Sequence, residues 1–292
     1  MSFTSRRTFM KATGAFAAAA CAGIDPLVAA QRSMPIGLEL YSVRALAPKD
    51  LDGTMAQVRA AGYTVVEAAG FYDKSAVDFR KAMDKAELHC ISAHYTLALL
   101  RGQLDQLLEY ANALGLQYMI CSSSGGQHRD PEAKGTPTLD DWHWIASEFN
   151  RIGEKVNVAG MTFGVHNHIP EFAVYDGVTV YDELLRLTDP KFVVFQMDAG
   201  WVSAAGRDPV EYLKKSPERF PLMHVKDVAK VAEGKFHSAV LGSGKMDYGP
   251  IMRAATGLKQ YFIEQEEFEM DPMEELRIEA EYMRKLNVHA AV

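Results

Sequence analysis

The stretch "QLDQLLEYANALGLQYMICSS" (residues 103–123) contains one complete junction between a helix and a strand. Apolar residues recur every three to four positions up to Leu114, as they do on one face of an α-helix. Gly115 stands where a helix usually ends, and the run that follows it is typical of a buried strand. The stretch therefore predicts a helix that stops at a glycine and leads directly into a strand.

The same junction recurs along the chain, for example at "AAGYT" (60–64), and strand-like runs alternate with helical segments from residue 35 onward. A doubly wound open sheet would also alternate, but its phosphate-binding glycine fingerprint is absent after the first strand. The alternation predicts an α/β fold, a (β/α)₈ TIM barrel, as a single domain over residues 31–292. The predicted strands are 36–42, 64–69, 88–94, 117–123, 162–168, 192–198, 221–227 and 260–266.

Residues 1–30 have the features of an export signal. Arg6 and Arg7 precede an apolar stretch from Ala12 to Ala22, and "VAA" before Gln31 offers small residues for a peptidase. The segment resembles a twin-arginine (Tat) signal, which implies the Tat translocase as a partner during export and a periplasmic location. A single membrane anchor is the alternative, but the stretch is shorter than the ~20 residues that a spanning helix needs.

Charge and cysteine content narrow the class of protein. Cleavage after residue 30 would remove three cations and one anion, which moves the net charge from −7 to −9. This acidic balance argues against nucleic acid as a partner. Cys90 and Cys121 lie in apolar, strand-like runs and are predicted to be core residues, with a bridge between neighbouring strands as the alternative.

The connection 124–138 after the fourth predicted strand is long and rich in glycine, proline and charge. In a (β/α)₈ barrel it lies on the face where active sites are built from the βα loops. It is therefore predicted to be either a substrate lid or a surface insertion.

Ionisable and polar groups recur at the carboxyl ends of the predicted strands. Burying such groups costs several kcal/mol unless they pair or bind a metal, so their convergence at a barrel mouth predicts a site. Imidazole and carboxylate ligands suit Mn²⁺, Co²⁺, Zn²⁺, Fe²⁺ or Mg²⁺. The groups are Glu39, Tyr41, Arg44, Glu67, His94, His166, Asn167, His168, Asp198, His224, Lys226, Asp227, Glu264 and Glu266.

Five motifs in order, "IGLELYSVR", "VHNHIPEF", "MDAGW", "HVKD" and "FIEQEEF", resemble the sugar phosphate isomerase/epimerase family with its xylose-isomerase-like TIM barrel. The resemblance covers residues 34 to 290 and implies one divalent metal held by Asp198, His224 and Glu264. The fourth ligand in the family's epimerases is a glutamate, and here the matching residue is His166. One of the two metal-bound glutamates of the epimerase mechanism is therefore missing.

The remaining polar groups are candidates for catalysis and substrate binding. The general base is predicted among Glu264, His168, Glu171 and Lys226, since His168 and Lys226 each stand two residues after a predicted ligand and so on the same strand face. Trp201 replaces a histidine of many relatives, which predicts one metal and no DNA-repair endonuclease activity. Predicted substrate contacts are His94, Arg44, Tyr41, Glu39, Trp201 and Glu266, and Glu266 has the same parity as Glu264 and could ligate in its place.

The resemblance and the ligand set together predict a metal-dependent isomerase or epimerase of an unphosphorylated keto-sugar or polyol, acting by proton abstraction next to a metal-bound carbonyl. Export argues against a phosphorylated substrate. The missing glutamate leaves a lyase or dehydratase of 3-keto-glycosides or keto-inositols as the alternative. A further alternative is a non-catalytic periplasmic sugar-binding protein on the same fold.

Overall fold

Strands with parallel neighbours on both sides close into a barrel in the computed structural model, which describes residues 33–124, 127–130, 132–232 and 235–288. Within these residues eight strands pair in chain order, and the last pairs with the first. The predicted (β/α)₈ TIM barrel is confirmed. The strands are β1 (Gly37–Glu39), β2 (Val65–Ala68), β3 (His89–Thr96), β4 (Tyr118–Ser123), β5 (Thr162–His166), β6 (Val193–Asp198), β7 (Leu222–Val225) and β8 (Gln260–Ile263).

The helices surround the barrel and start and stop at the residues that favour helix ends. Gly62 and Gly115 both have positive φ, 112° and 80°, at the ends of the first and third helices, as the junction pattern predicts. Pro272 is the first residue of the last helix, where its missing N–H costs nothing. The helices are α1 (Leu51–Ala61), α2 (Ala76–Lys85), α3 (Leu97–Leu114), α4 (Leu139–Val158), α5 (Val180–Leu187), α6 (Ala199–Ala204), α7 (Pro209–Lys215), α8 (Tyr248–Ala254) and α9 (Pro272–Leu286).

Several strands are shorter at their carboxyl ends than the sequence predicts. The first ends at Glu39 instead of residue 42, because a 3-10 turn over Leu40–Val43 follows it. The fifth ends at His166 and the seventh at Val225, so His168 and Lys226 lie beyond the strands that were expected to carry them. In the sequence, apolar and polar residues go on alternating after the last residue that pairs with a neighbouring strand. The alternation alone therefore could not show where each strand ends.

An apolar layer closes the inside of the barrel beneath the mouth. Val65, Ile120, Leu222 and Phe262, from β2, β4, β7 and β8, form a separate buried cluster. Layers of apolar side chains commonly fill the inside of a TIM barrel. The rings of Phe262 and His224 pack in a T-shaped arrangement with their centroids 6.1 Å apart, so His224 contacts this layer.

Two hairpins project from the mouth of the barrel. One pairs Val174–Tyr175 with Val178–Thr179, and the other pairs Asp227–Ala232 with Lys235–Ala239. Ser238 in the second hairpin accepts hydrogen bonds from the backbone N–H groups of Glu266 and Glu267, both at 3.0 Å. This hairpin therefore supports the loop that follows β8.

The long connection after β4 is anchored where it is described. The ring Nδ1 of His128 lies 3.1 Å from a carboxylate oxygen of Asp141 at the start of α4. The hydroxyl of Tyr175 donates to the carbonyl of Pro137 at 2.5 Å. Its role as a lid stays a prediction.

Other sequence predictions concern the cysteines and the chain termini. Cys121 is buried, Cys90 is partly buried and both are free thiols, so the bridge between them is wrong. Among the described residues, no helix combines the length and the apolar character needed to cross a membrane. The predicted signal peptide over residues 1–30 lies outside the described residues.

Candidate active site

Four ionisable side chains from neighbouring strands meet at the carboxyl ends of β5 to β8. His166 ends β5, Asp198 ends β6, His224 lies in β7 and Glu264 directly follows β8. One potential ligand atom of each lies within 4.8 Å of those of the others, and all four residues are buried. The fold thus brings together the four predicted metal ligands, which we call the quartet.

Asp198 offers a free acceptor within the quartet. Its Oδ1 accepts a hydrogen bond from the backbone N–H of Trp201 at 2.8 Å. Its Oδ2 is buried and accepts no hydrogen bond from the described residues, although Lys226 Nζ lies 3.3 Å away. Leaving a buried carboxylate oxygen without a hydrogen bond costs free energy, and two imidazoles with two carboxylates are a ligand set that divalent metals accept. The residues present therefore fit a divalent metal and leave its identity open.

The two histidines of the quartet differ in charge. Burial lowers the pKa of His166 well below its usual value, and the positive ring of His224 lowers it further. Burial also disfavours the charged form of His224, but hydrogen bonds to Glu264 (3.1 Å) and Glu67 (2.6 Å) outweigh it and raise the pKa of His224 to about 10. His166 is therefore a neutral ring with a lone pair for a ligand.

Lys226 is a buried cation next to the quartet. Its Nζ lies 2.8 Å from Glu264 Oε2 and 3.3 Å from Asp198 Oδ2, and it also donates to Glu266. It lies 4.6 Å from the centre of the Trp201 ring. Burial alone would lower the pKa of Lys226, but the three carboxylates raise it above its usual value. Lys226 is thus held as an ammonium cation in this arrangement, and this charge state argues against its predicted role as a base.

The loop after β5 carries the other two predicted catalytic residues. The ring of His168 is half-buried, with its centroid 4.8 Å from that of His166 and 6.3 Å from that of Trp201. Glu171 is buried, and its carboxylate accepts from the backbone N–H of His168 (2.9 Å) and from the hydroxyl of Ser124 (3.1 Å). Through these bonds Glu171 anchors the loop, whereas the ring of His168 remains open to the mouth.

The predicted substrate contacts at and just after the end of β1 are one buried residue and two exposed ones. Glu39 is buried and accepts from the backbone N–H of Tyr41 at 2.6 Å. Burial and the nearby Glu264 raise the pKa of Glu39 to about 8. Tyr41 and Arg44 are exposed at the rim, where Arg44 stacks on the Tyr41 ring at 4.2 Å and donates to the carbonyl of Glu266 at 2.6 Å.

Glu67 occupies the centre of the site, although the sequence indicates it only weakly. Its side chain is fully buried and contacts His94 (2.9 Å), His224 (2.6 Å) and Gln196 (2.8 Å). Sequence reasoning missed Gln196 altogether. The signal was present, because Gln196 stands two residues before Asp198 on the same strand and so faces the same side.

A sequence model described as the xylose isomerase-like TIM barrel matches residues 55–286. An inosose dehydratase from Geobacillus thermodenitrificans is 27% identical over 250 residues, which is 75% of this chain and 82% of the relative.

Solved structures agree with this match. A sugar phosphate isomerase/epimerase from Parabacteroides distasonis has a TM-score of 0.72 at 25% identity, covering 89% of this chain and 96% of that chain. A xylose isomerase-like TIM barrel protein from Mycobacterium smegmatis in complex with magnesium shares the fold, with a TM-score of 0.63 at 16% identity over 88% of this chain and 97% of that chain. The family match spans most of the barrel, and the chain belongs to the xylose isomerase-like TIM barrel family of enzymes.

Proposed function

We propose that this chain is a metal-dependent lyase that eliminates water or another leaving group from an unphosphorylated keto-polyol or keto-sugar. One observation carries the proposal. His166 occupies the place where a two-base epimerase would need a second carboxylate, and the ammonium group of Lys226 lies beside the remaining one, Glu264. An elimination needs one base and one acid, which this arrangement supplies. The similarity to an inosose dehydratase supports the same reaction class.

The quartet would hold one divalent metal through His166, Asp198, His224 and Glu264. When bound, the metal would act as a Lewis acid on the substrate carbonyl and make the neighbouring C–H more acidic. The magnesium in the Mycobacterium smegmatis relative supports a divalent ion on this fold. Every later step is carried out by side chains of this chain.

His168 removes the proton from the carbon next to the carbonyl. Its ring lies at the mouth beside His166, and burial lowers its pKa, which keeps the imidazole neutral and able to accept a proton. The electrons of the C–H bond form a C=C bond while the C–O bond to the leaving group breaks. Lys226 protonates the departing oxygen. The substrate loses one molecule of water or alcohol without a change of oxidation state.

The cations Lys226 and Arg44 at the mouth already have partners within the protein, which favours an uncharged substrate. Lys226 is held by three carboxylates, and Arg44 donates to the backbone carbonyls of Tyr41 and Glu266. A phosphate group would need cations that are free to bind it. The indole N–H of Trp201 is buried and has no partner among the described residues, so it can donate to a substrate hydroxyl.

An isomerase or epimerase is the second candidate. Glu264 is a carboxylate within the quartet. It could take up the proton and return it to the substrate carbon, in which case no leaving group is lost. The similarity to a sugar phosphate isomerase/epimerase favours this reaction. A non-catalytic sugar-binding protein is a third candidate, and the similarity to an enzyme at the level of sequence argues against it.

Solvent-deuterium exchange separates these three functions. Metal-loaded protein is incubated in D₂O with a panel of keto-inositols and 3-keto-glycosides, and the products are analysed by mass spectrometry. A lyase gives a product that lacks water or the aglycone, an epimerase gives deuterated substrate of unchanged composition, and a binding protein gives neither. Exchange without elimination across the panel would contradict the lyase proposal.

We also propose that the protein is exported to the periplasm by the twin-arginine translocase. The support is the paired-arginine segment at Arg6 and Arg7 followed by the apolar stretch. The barrel would then fold before export, and its metal could be bound in the cytoplasm.

A further inference from the structure

Glu67 connects the two histidines of the quartet through one hydrogen-bond network. Its Oε1 lies 2.6 Å from Nε2 of His224, and its two oxygens accept from the amide nitrogen of Gln196 at 3.0 and 2.8 Å. The hydroxyl of Ser92 donates to its Oε2. Glu67 and Gln196 are both fully buried, so these bonds have no competition from water.

The carboxylate of Glu67 determines the orientation of the Gln196 amide. An ionised carboxylate only accepts hydrogen bonds, so the NH₂ group of Gln196 must face it. The amide oxygen then points to the opposite side, where it lies 3.0 Å from Nδ1 of His166 and 2.8 Å from Nε2 of His94. Both ring nitrogens must therefore carry hydrogen to make these bonds.

Hydrogen on one ring nitrogen of a neutral imidazole leaves the lone pair on the other. His166 protonated at Nδ1 presents the Nε2 lone pair. His224 donates from Nε2 to Glu67 and directs Nδ1 toward Glu264, 3.1 Å away. One carboxylate thus fixes which nitrogen of each ring faces the quartet, by holding Nε2 of His224 directly and Nδ1 of His166 through Gln196.

We propose that Glu67 and Gln196 are positioning residues that fix the ring orientation of His224 and the tautomer of His166 for metal binding. The inference rests on the proposed function, since it concerns the same metal site. Partners of this kind behind a metal-ligating histidine typically change metal affinity about 10- to 100-fold when they are removed.

The test uses the purified full-length chain and three variants. In Glu67→Gln the new amide can donate to Gln196, which turns over and directs its NH₂ group at Nδ1 of His166. In Gln196→Met the acceptor for His166 is lost, while the contact between Glu67 and His224 stays. Glu279→Gln is the matched control, because Glu279 is also a buried glutamate but lies on α9, outside the site.

Two measurements are made on each variant. Side-chain ¹⁵N–¹H correlation spectra of the metal-free protein report which ring nitrogen carries hydrogen. Competition with a chromophoric chelator gives the Zn²⁺ affinity and the number of ions bound. We expect His166 to change from the Nδ1–H to the Nε2–H form in Glu67→Gln, and both site variants to bind Zn²⁺ about 10- to 100-fold more weakly than the wild type and the control.

The outcomes distinguish the positioning role from the metal site itself. An unchanged His166 tautomer with Zn²⁺ affinity within twofold of wild type, in folded Glu67→Gln, would overturn the positioning role alone. Two bound ions in the wild type and one in Glu67→Gln would make Glu67 a ligand and also overturn it. A wild type that binds no Zn²⁺ would overturn the proposed metal site as well. If Glu67→Gln does not fold, the tautomer of His166 in Gln196→Met decides.

Discussion

His166 is the residue that most changes the chemistry expected of this site. Relative to the glutamate that the family resemblance implies at this position, the imidazole removes one negative charge from the quartet and one potential base from the substrate's side. Asp198, Glu264 and the nearby Glu266 still surround Lys226, so the cation stays fully paired. The single replacement therefore favours chemistry with a distinct base and acid over chemistry with two equivalent bases.

Removing the charge of Asp198 tests the ligand assignment. Asp198→Asn keeps the size of the side chain but removes its charge, and its Oδ2 position becomes an NH₂ group or a weaker acceptor. We expect bound metal to fall from one ion per chain to none detectable, measured by elemental analysis after dialysis. Tyr41→Phe at the exposed rim is the control, and equal metal content in both variants would refute the assigned site.

Restoring the carboxylate at the strand-five position tests the role of His166. His166→Glu should retain the metal, because the family's epimerases are expected to use glutamate there. The new base should shift the product ratio toward deuterium exchange without loss of the leaving group, measured in D₂O. Loss of the metal would instead mean that the ligand at this position has been misassigned.

The strand ends predicted a pool of polar and ionisable groups, and the resemblance to the family selected His166, Asp198, His224 and Glu264 from it as the quartet. Neither revealed the network behind the quartet. Glu67 and Gln196 are 129 residues apart in the chain, and Glu67 and His224 are 157 apart. Their contact follows only from closure of the barrel, which no local pattern contains.

At the scale of elements, the strands were predictable and their carboxyl ends were not. All eight predicted strands are present, because alternation of apolar runs with glycine-terminated helices is a local property. The side chain of Asn167 turns away from the mouth and bonds to the backbone of Asp198. It donates to the carbonyl of Asp198 at 3.2 Å and accepts from the N–H of Asp198 at 3.1 Å. β5 ends at His166, and His168 lies in the loop that follows it.

Helix α9 contains a buried acid whose titration should affect stability. Glu279 is 1% exposed, and its Oε1 accepts from the backbone N–H of Leu241 at 3.4 Å. Burial, followed by the charges of Glu275 and Asp227, raises the pKa of Glu279 to about 8. The folded state then holds this proton more tightly than the unfolded state. Its contribution to stability is complete below the unfolded value and is lost as the pH rises through about 8.

The variant Glu279→Gln imitates the protonated form at every pH. We expect its free energy of unfolding, measured with urea in the presence of EDTA, to exceed that of the wild type above pH 8. The difference should shrink by a few kcal/mol, as an order of magnitude, on lowering the pH to about 4.5. Parallel stability curves for the two proteins would show that Glu279 does not titrate in this range.

At the scale of the whole molecule, export can be tested separately from catalysis. Replacing Arg6 and Arg7 with lysine keeps the charge of the segment but removes the paired arginines. We expect the protein to move from the periplasmic to the cytoplasmic fraction, measured by immunoblot after fractionation. The barrel is unchanged, so bound metal should be the same. Export that persists in the double variant would contradict the twin-arginine route.

The central claim is that His168 acts as the base and Lys226 as the acid. One experiment that measures proton exchange and elimination together tests it most directly. Wild type and Lys226→Gln, each checked for bound metal, are incubated with a keto-inositol in D₂O, and the rates of deuterium exchange and of water loss are measured together. We predict that the variant keeps exchange within about tenfold while water loss falls about 10²- to 10⁴-fold, the usual contribution of a general acid. Equal loss of both rates with the metal still bound would contradict the account.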